Sequence, residues 1–203
     1  MTAGDLSYDE VGNCLRKCGY YRVRRAQTVC NAGPPDGISG ATMLGLGMRE
    51  TRLKNVNGGA RWDSSSGTWV QTKTDKGVFQ IASEYHMADL RRMLGVDEGT
   101  WGPVVEQATA LDDNYCPRYE ESLQFTLMLM HEHQAFAMDS GISEDELGRF
   151  AVVAHNAGLG GALRGYREGE PDRYTAYQNY SQWVLRHRTI INRWLNDHLK
   201  WRV

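Results

Sequence analysis

Ser39-Gly40-Ala41-Thr42-Met43-Leu44-Gly45-Leu46-Gly47-Met48-Arg49-Glu50-Thr51-Arg52-Leu53 is the stretch on which the reading of this chain turns. Met43, Leu46, Gly47, Glu50 and Leu53 follow the i, i+3, i+4, i+7 spacing of one helix face, which predicts a helix over residues 39–53. Arg49, Arg52 and Lys54 fall largely off that face, so Glu50 points with the apolar residues. A carboxyl among apolar neighbours is disfavoured as an anion, and its pKa is expected to rise. Such an acid keeps a proton near neutral pH and can donate it to a leaving oxygen. The plainer alternative is a helix-end Glu paired with Arg49 or Arg52.

Outward from this helix, the chain reads as mostly helical. Residues 6–18 predict an N-terminal helix capped by Asp5 or Ser7. Residues 31–38 are a loop by their density of Gly and Pro. A small β region covers about 61–82. Within it, Arg61-Trp62-Asp63-Ser64-Ser65-Ser66-Gly67-Thr68-Trp69-Val70-Gln71 has a hairpin pattern, two aromatic or β-branched arms about a Ser-Ser-Gly turn. Trp62 and Trp69 either pair across the strands or form a surface for stacking a sugar. Short helices are predicted over 84–94 and 103–111. Pro117 opens a long helix to about Met138, whose Leu123–Met130 run is apolar on most faces and should be central. Ser143-Glu144-Asp145-Glu146 has the capping-box pattern. The helix it opens runs through Phe150–Ala154 and should stop at Asn156-Ala157-Gly158, residues that commonly end helices. A short helix over 161–168 follows. A terminal helix over 175–200 is striped by Trp183, His187, Ile190, Ile191, Trp194, Leu195 and Leu199.

The chain has 203 residues, enough for one domain, with or without a short N-terminal extension. A formal net charge of −2 carries no nucleic-acid footprint. No run approaches the ~20 apolar residues of a membrane span. Met1 to Glu10 is polar and acidic, unlike a secretory signal. As a natural start it implies synthesis in a cytoplasm, though a trimmed chain would look the same. Cys14, Cys18, Cys30 and Cys116 form no Cys-x-x-Cys pair and are expected as free thiols in a reducing compartment. A disulfide such as Cys18–Cys30 is open after release outside the cell. His131-Glu132-His133 lacks the i, i+4 spacing of a zinc helix and reads as structural.

Three blocks and a tyrosine then stand in order: Arg49-Glu50-Thr51, Gly77-Val78-Phe79-Gln80-Ile81, His155-Asn156-Ala157-Gly158, and Tyr180 leading into Ser181-Gln182-Trp183-Val184. Together they resemble the goose-type lysozymes and related lytic transglycosylases over about residues 36–195. The matching family blocks are Arg-Glu-Ser/Thr with its catalytic Glu, Gly-Leu-Met-Gln-Val/Ile, Ala-Tyr-Asn-Ala-Gly, and the tyrosine opening the last core helix. Two departures stand out. His155 replaces the usual Tyr, and Ala82-Ser83 follow Ile81 where goose-type enzymes often carry an Asp. The loop from Asn57 to Lys76 is also long for the family.

The resemblance implies an α+β, predominantly α-helical, lysozyme-like fold with a small β-hairpin region beside the cleft. Residues 36–203 would be the catalytic domain and residues 1–35 a helical extension packed on it. It implies a muramidase that cuts peptidoglycan between N-acetylmuramic acid and N-acetylglucosamine, in bacteriophage lysis or wall penetration. Glu50 would be the general acid, with Asp63 and Asp75 competing as second carboxylate. Gln80, His155, Asn156 and Tyr180 would hold substrate. Neither a cofactor nor a metal is expected, nor nucleic acid or a membrane span, and the chain should act as a monomer on the wall. Three alternatives stay open: a lytic transglycosylase leaving 1,6-anhydro ends, a chitinase on the same scaffold, and a non-catalytic glycan-binding virion protein.

Overall fold

The computed structural model describes residues 4–31, 38–56, 58–63, 65, 67–82, 85–86, 89 and 118–199. The loop over 31–38 and the helices expected over 84–94 and 103–111 lie largely or wholly outside these residues, as does Cys116. Among the described residues the chain is mostly helical, with a small antiparallel sheet. In order the elements are α1 (Tyr8–Cys18), α2 (Tyr20–Asn31), α3 (Gly40–Thr51), β1 (Gly58–Asp63), β2 (Thr68–Lys76), β3 (Ile81–Ala82), α4 (Tyr119–Asp139), α5 (Leu147–Arg167) and α6 (Tyr180–Leu199). One-turn 3-10 segments, Glu144–Glu146 and Ala176–Gln178, precede α5 and α6. The chain divides into two compact units: Met1–Arg49 with Leu127–Val203, and Glu50–Thr126.

In the first unit α1 begins with a complete capping box. The Glu10 amide donates to the Ser7 hydroxyl, and the Ser7 amide donates to the Glu10 carboxylate at 2.8 Å. Of the two expected caps, Ser7 takes the role, while Asp5 pairs with Arg186 instead. The apolar face of α1, Val11 and Leu15, is buried, and α1 packs on α6. Leu6 reinforces that packing, because its amide donates to His187 Nε2 at 2.8 Å. His187 in turn donates from Nδ1 to the Trp183 carbonyl at 2.7 Å and stacks on the Trp183 ring. A buried imidazole with both nitrogens bonded is a core residue, as the terminal stripe implies.

A second cluster joins α4 to α5 through Ala137, Leu147, Phe150, Val153, Ala154 and Ala162. The capping box expected at Ser143 does not form: Ser143 makes no side-chain cap bond. Glu146, which should reach back, instead accepts from the Tyr166 hydroxyl at 2.8 Å and lies 3.6 Å from Arg149. A charge-assisted tertiary bond outcompetes the local one.

Cys18 and Cys30 are not bridged, and Cys30 is a buried thiol on α2. Burial pushes it from its ordinary 9.0 up to about 12. Burial first, and then the Glu146 hydrogen bond and charge, also push the Tyr166 hydroxyl above its ordinary value. Both groups bind protons more tightly folded than unfolded. Their contribution to stability is therefore complete below the unfolded values and lost as pH climbs through the folded ones. The melting temperature is expected to stay level from neutral pH to about 9 and to fall between about 9 and 12. Cys30→Ala should shrink the alkaline fall, which thermal melts across pH will show.

The second unit contains the sheet, ordered β1-β2-β3 and antiparallel throughout. Trp62 stands opposite Trp69 in the backbone register, which is compatible with the cross-strand pair, one of the two arrangements the sequence leaves open. Val78, Phe79 and Ile81 are buried, and Phe79 lies against Tyr119 at 6.4 Å between ring centroids.

Candidate functional site

Ser39 starts α3 by accepting the Thr42 amide at 3.1 Å. From Gly40 to Met48 every residue is buried, so this helix has no solvent face over that span. The reason shows at Gly40, where a Cβ would lie 2.8 Å from the Gln27 backbone of α2. This corrects the one-sided pattern read from the spacing. Arg49 does not lie on a charged outer face. It is half-buried, as is Glu50 in the last turn.

The unit boundary falls between these two residues. On the second unit's side, the Thr51 hydroxyl donates to the Val78 carbonyl at 2.9 Å, which brings the first two sequence blocks into contact. Arg52 and Leu53 then end α3 with φ of 57° and 61°, a left-handed stop made without glycine. The Gly77–Gln80 turn that receives Thr51 is closed the same way, with Gln80 at φ 51°. The Gln80 amide nitrogen donates to the carbonyls of Gly77 at 2.8 Å and Val56 at 3.0 Å. Gln80 therefore braces this turn.

The two candidate second carboxylates are far apart. Asp63 ends β1 opposite Thr68, at the tip of the hairpin. Asp75 stands at the other end of β2, paired with Gly58 on one side and Ala82 on the other, and is half-buried. Seven residues of strand separate the two levels, roughly 20 Å. Asp75 is thus at the hairpin base, beside the turn that Thr51 touches, and Asp63 is not.

In the first unit the third block forms a sharp break. α5 is interrupted at Gly158, with φ 70° and ψ 164°, a region reserved in practice for glycine. The helix expected to stop at Asn156-Ala157-Gly158 does break there, and a second helical segment resumes at once. His155 is half-buried just before the break. Asn156 Oδ1 accepts the Ala176 amide at 2.7 Å, fastening the 3-10 segment that leads to α6.

That segment holds Tyr177, which sequence reasoning missed. Arg49 lies over the rings of Tyr177, Tyr180 and Trp183, at 5.5, 5.6 and 5.2 Å from their centroids. It also donates to Asn179 Oδ1 at 3.2 Å. Each cation–π contact is worth about 0.5–2 kcal/mol, more where water is excluded, and Tyr180 is only 2% exposed. Tyr174, Tyr177, Tyr180 and Trp183 recur every third residue, a signal visible in the sequence. Its partner Arg49 lies some 130 residues earlier and was not visible.

Asp172, 4% exposed, is the second such group. Its carboxylate accepts the Ser181 amide at 2.7 Å, the Ser181 hydroxyl at 2.6 Å and the Gln182 amide at 3.3 Å. Arg149 lies 3.6 Å away. Asp172 caps α6 from eight residues upstream of Tyr180, where no local pattern marks it.

All five non-glycine residues with positive φ among those described are Arg52, Leu53, Gln80, Tyr177 and Gln178. Each costs about 1–2 kcal/mol. Every one lies in, or within three residues of, the blocks singled out from the sequence. Strain of this kind gathers where function over-determines the backbone. Among the described residues no group of three or more His, Cys, Asp or Glu is arranged to hold a metal ion. No described helix is long and apolar enough to cross a membrane. Searches against protein-family models and against curated proteins find no match.

Proposed function

We propose that this chain is a peptidoglycan-cleaving glycosidase with a lysozyme-like fold, acting on the N-acetylmuramic acid–N-acetylglucosamine bond in bacteriophage lysis or wall penetration. The observation that carries the reading is that the strained non-glycine residues described, Arg52, Leu53, Gln80, Tyr177 and Gln178, all lie in or within three residues of the blocks that resemble the goose-type lysozymes. The half-buried position of Glu50 in the last turn of a buried helix supports it.

In this reading Glu50 gives its proton to the glycosidic oxygen, the C1–O bond breaks, and the electron pair stays on the departing oxygen. Asp75 takes a proton from a water whose oxygen bonds to C1, so one water is added across the bond. An inverting hydrolase needs its carboxyls ~6.5–9.5 Å apart. Asp75 is preferred to Asp63 because it stands at the hairpin base, beside Val78. His155 and Asn156 are proposed sugar-holding residues; Tyr180, buried against the Arg49 guanidinium, supports Arg49 instead of touching sugar, and Gln80 supports the turn that Thr51 binds.

A lytic transglycosylase is the second reading, favoured by Ala82-Ser83 where an Asp would be expected. There Glu50 protonates the leaving oxygen and the C1–O bond breaks; the muramic C6 hydroxyl then bonds to C1 and gives its proton to the Glu50 carboxylate, so no second carboxylate is required. Single Asn variants separate the two. Asp75→Asn is expected to lower the wall-clearing rate about 100-fold or more, while Asp63→Asn stays near wild type. Full activity in both variants would remove the hydrolytic role of Asp75 and leave the single-acid reading.

A further inference from the structure

Tyr177 occupies a position that packing does not explain. Its φ of 61° and ψ of 11° are left-handed, and Gln178 follows at φ 54°. Glycine would take this conformation without strain. Strained residues elsewhere are often retained because their side chains fill a core, but Tyr177 is 57% exposed. Its ring lies against the Arg49 guanidinium, 5.5 Å from the centroid, and more than half of its surface stays open.

Hydrogen bonds on both sides of Tyr177 hold its backbone. Asn156 Oδ1 accepts the Ala176 amide at 2.7 Å. The Gln178 amide donates to the Thr175 carbonyl at 3.0 Å. The Thr175 hydroxyl donates to the Asp172 carbonyl at 2.7 Å. An exposed aromatic ring carried on a held, strained backbone and seated against a guanidinium is prepared to stack on something that comes from solution, because little backbone freedom is left to lose on binding.

We propose that Tyr177 is a stacking platform for a pyranose ring of an N-acetylhexosamine glycan. The inference rests on the glycan-cleaving reading above. The apolar C–H face of the sugar would cover the open part of the ring, as apolar faces cover aromatic surface generally.

The test compares Tyr177→Gly and Tyr177→Phe with wild type and with Tyr21→Ala, which removes an exposed tyrosine from α2. Three quantities are read: Kd for tetra-N-acetylchitotetraose, KM and kcat on purified walls, and Tm. Tyr177→Gly relieves the strain and removes the ring. It should raise Kd and KM about tenfold, leave kcat nearly unchanged, and keep or raise Tm. Tyr177→Phe should restore both Kd and KM, and Tyr21→Ala should change neither. Wild-type Kd and KM in Tyr177→Gly would overturn the platform. So would a loss matched by a fall in Tm that Phe fails to restore. A wild-type protein that neither binds the tetrasaccharide nor cuts walls would overturn the glycan reading and the platform with it. Wild-type cutting that is unaffected in Tyr177→Gly would overturn the platform alone.

Discussion

Glu50→Gln is expected to fold like the wild type and to lose about 10²–10⁴-fold in wall-clearing rate. The amide matches the carboxylic acid in shape but has no acidic proton to give to the leaving oxygen. The bond from the Thr51 hydroxyl to the Val78 carbonyl and the seat of Arg49 on its aromatic rings are made by other side chains and are kept in the variant. The measurement is turbidity loss of purified walls, with a thermal melt alongside. Clearance near the wild-type rate by a well-folded Glu50→Gln would remove Glu50 from the chemistry.

Asp172→Ala should be the most damaging substitution for stability, at about 3–5 kcal/mol. It strips acceptors from the buried Ser181 amide and hydroxyl and leaves Arg149 facing a lost carboxylate. Each stranded buried donor costs about 1–3 kcal/mol. For a chain of this length the loss corresponds to a fall in melting temperature on the order of 10 °C. Asp172→Asn should fall between, since its side chain keeps one acceptor oxygen. A melt of Asp172→Ala within about 2 °C of wild type would contradict the capping role, by the same scaling.

Much of the frame is legible along the chain because local chemistry sets it. The Glu50 helix, the hairpin with Trp62 opposite Trp69, the long helix after Pro117, the break at Gly158 and the terminal stripe all follow from periodicity or turn residues. α2 is much less legible. Only Val23, Ala26 and Cys30 of its face are buried, among arginines and β-branched residues that weaken the pattern. The Ser143 box misleads because Tyr166 and Arg149 compete for Glu146 across the fold. Tertiary contact also reassigns Arg49 from an outer face to an aromatic cage, and it recruits Asp172 as a distant cap. In the candidate site, the sequence identifies the blocks. It does not show that Gln80 braces its own turn, that Asn156 fastens the segment leading to α6, or that Asp63 and Asp75 stand at opposite ends of one hairpin.

The most direct measurement is mass analysis of the sugar termini released when wild-type protein digests purified peptidoglycan. The expected result is new reducing-end N-acetylmuramic acid, produced by the wild type and absent with Glu50→Gln. Intact glycan strands, or cleavage confined to the peptide cross-links, would contradict glycosidic cleavage at Glu50.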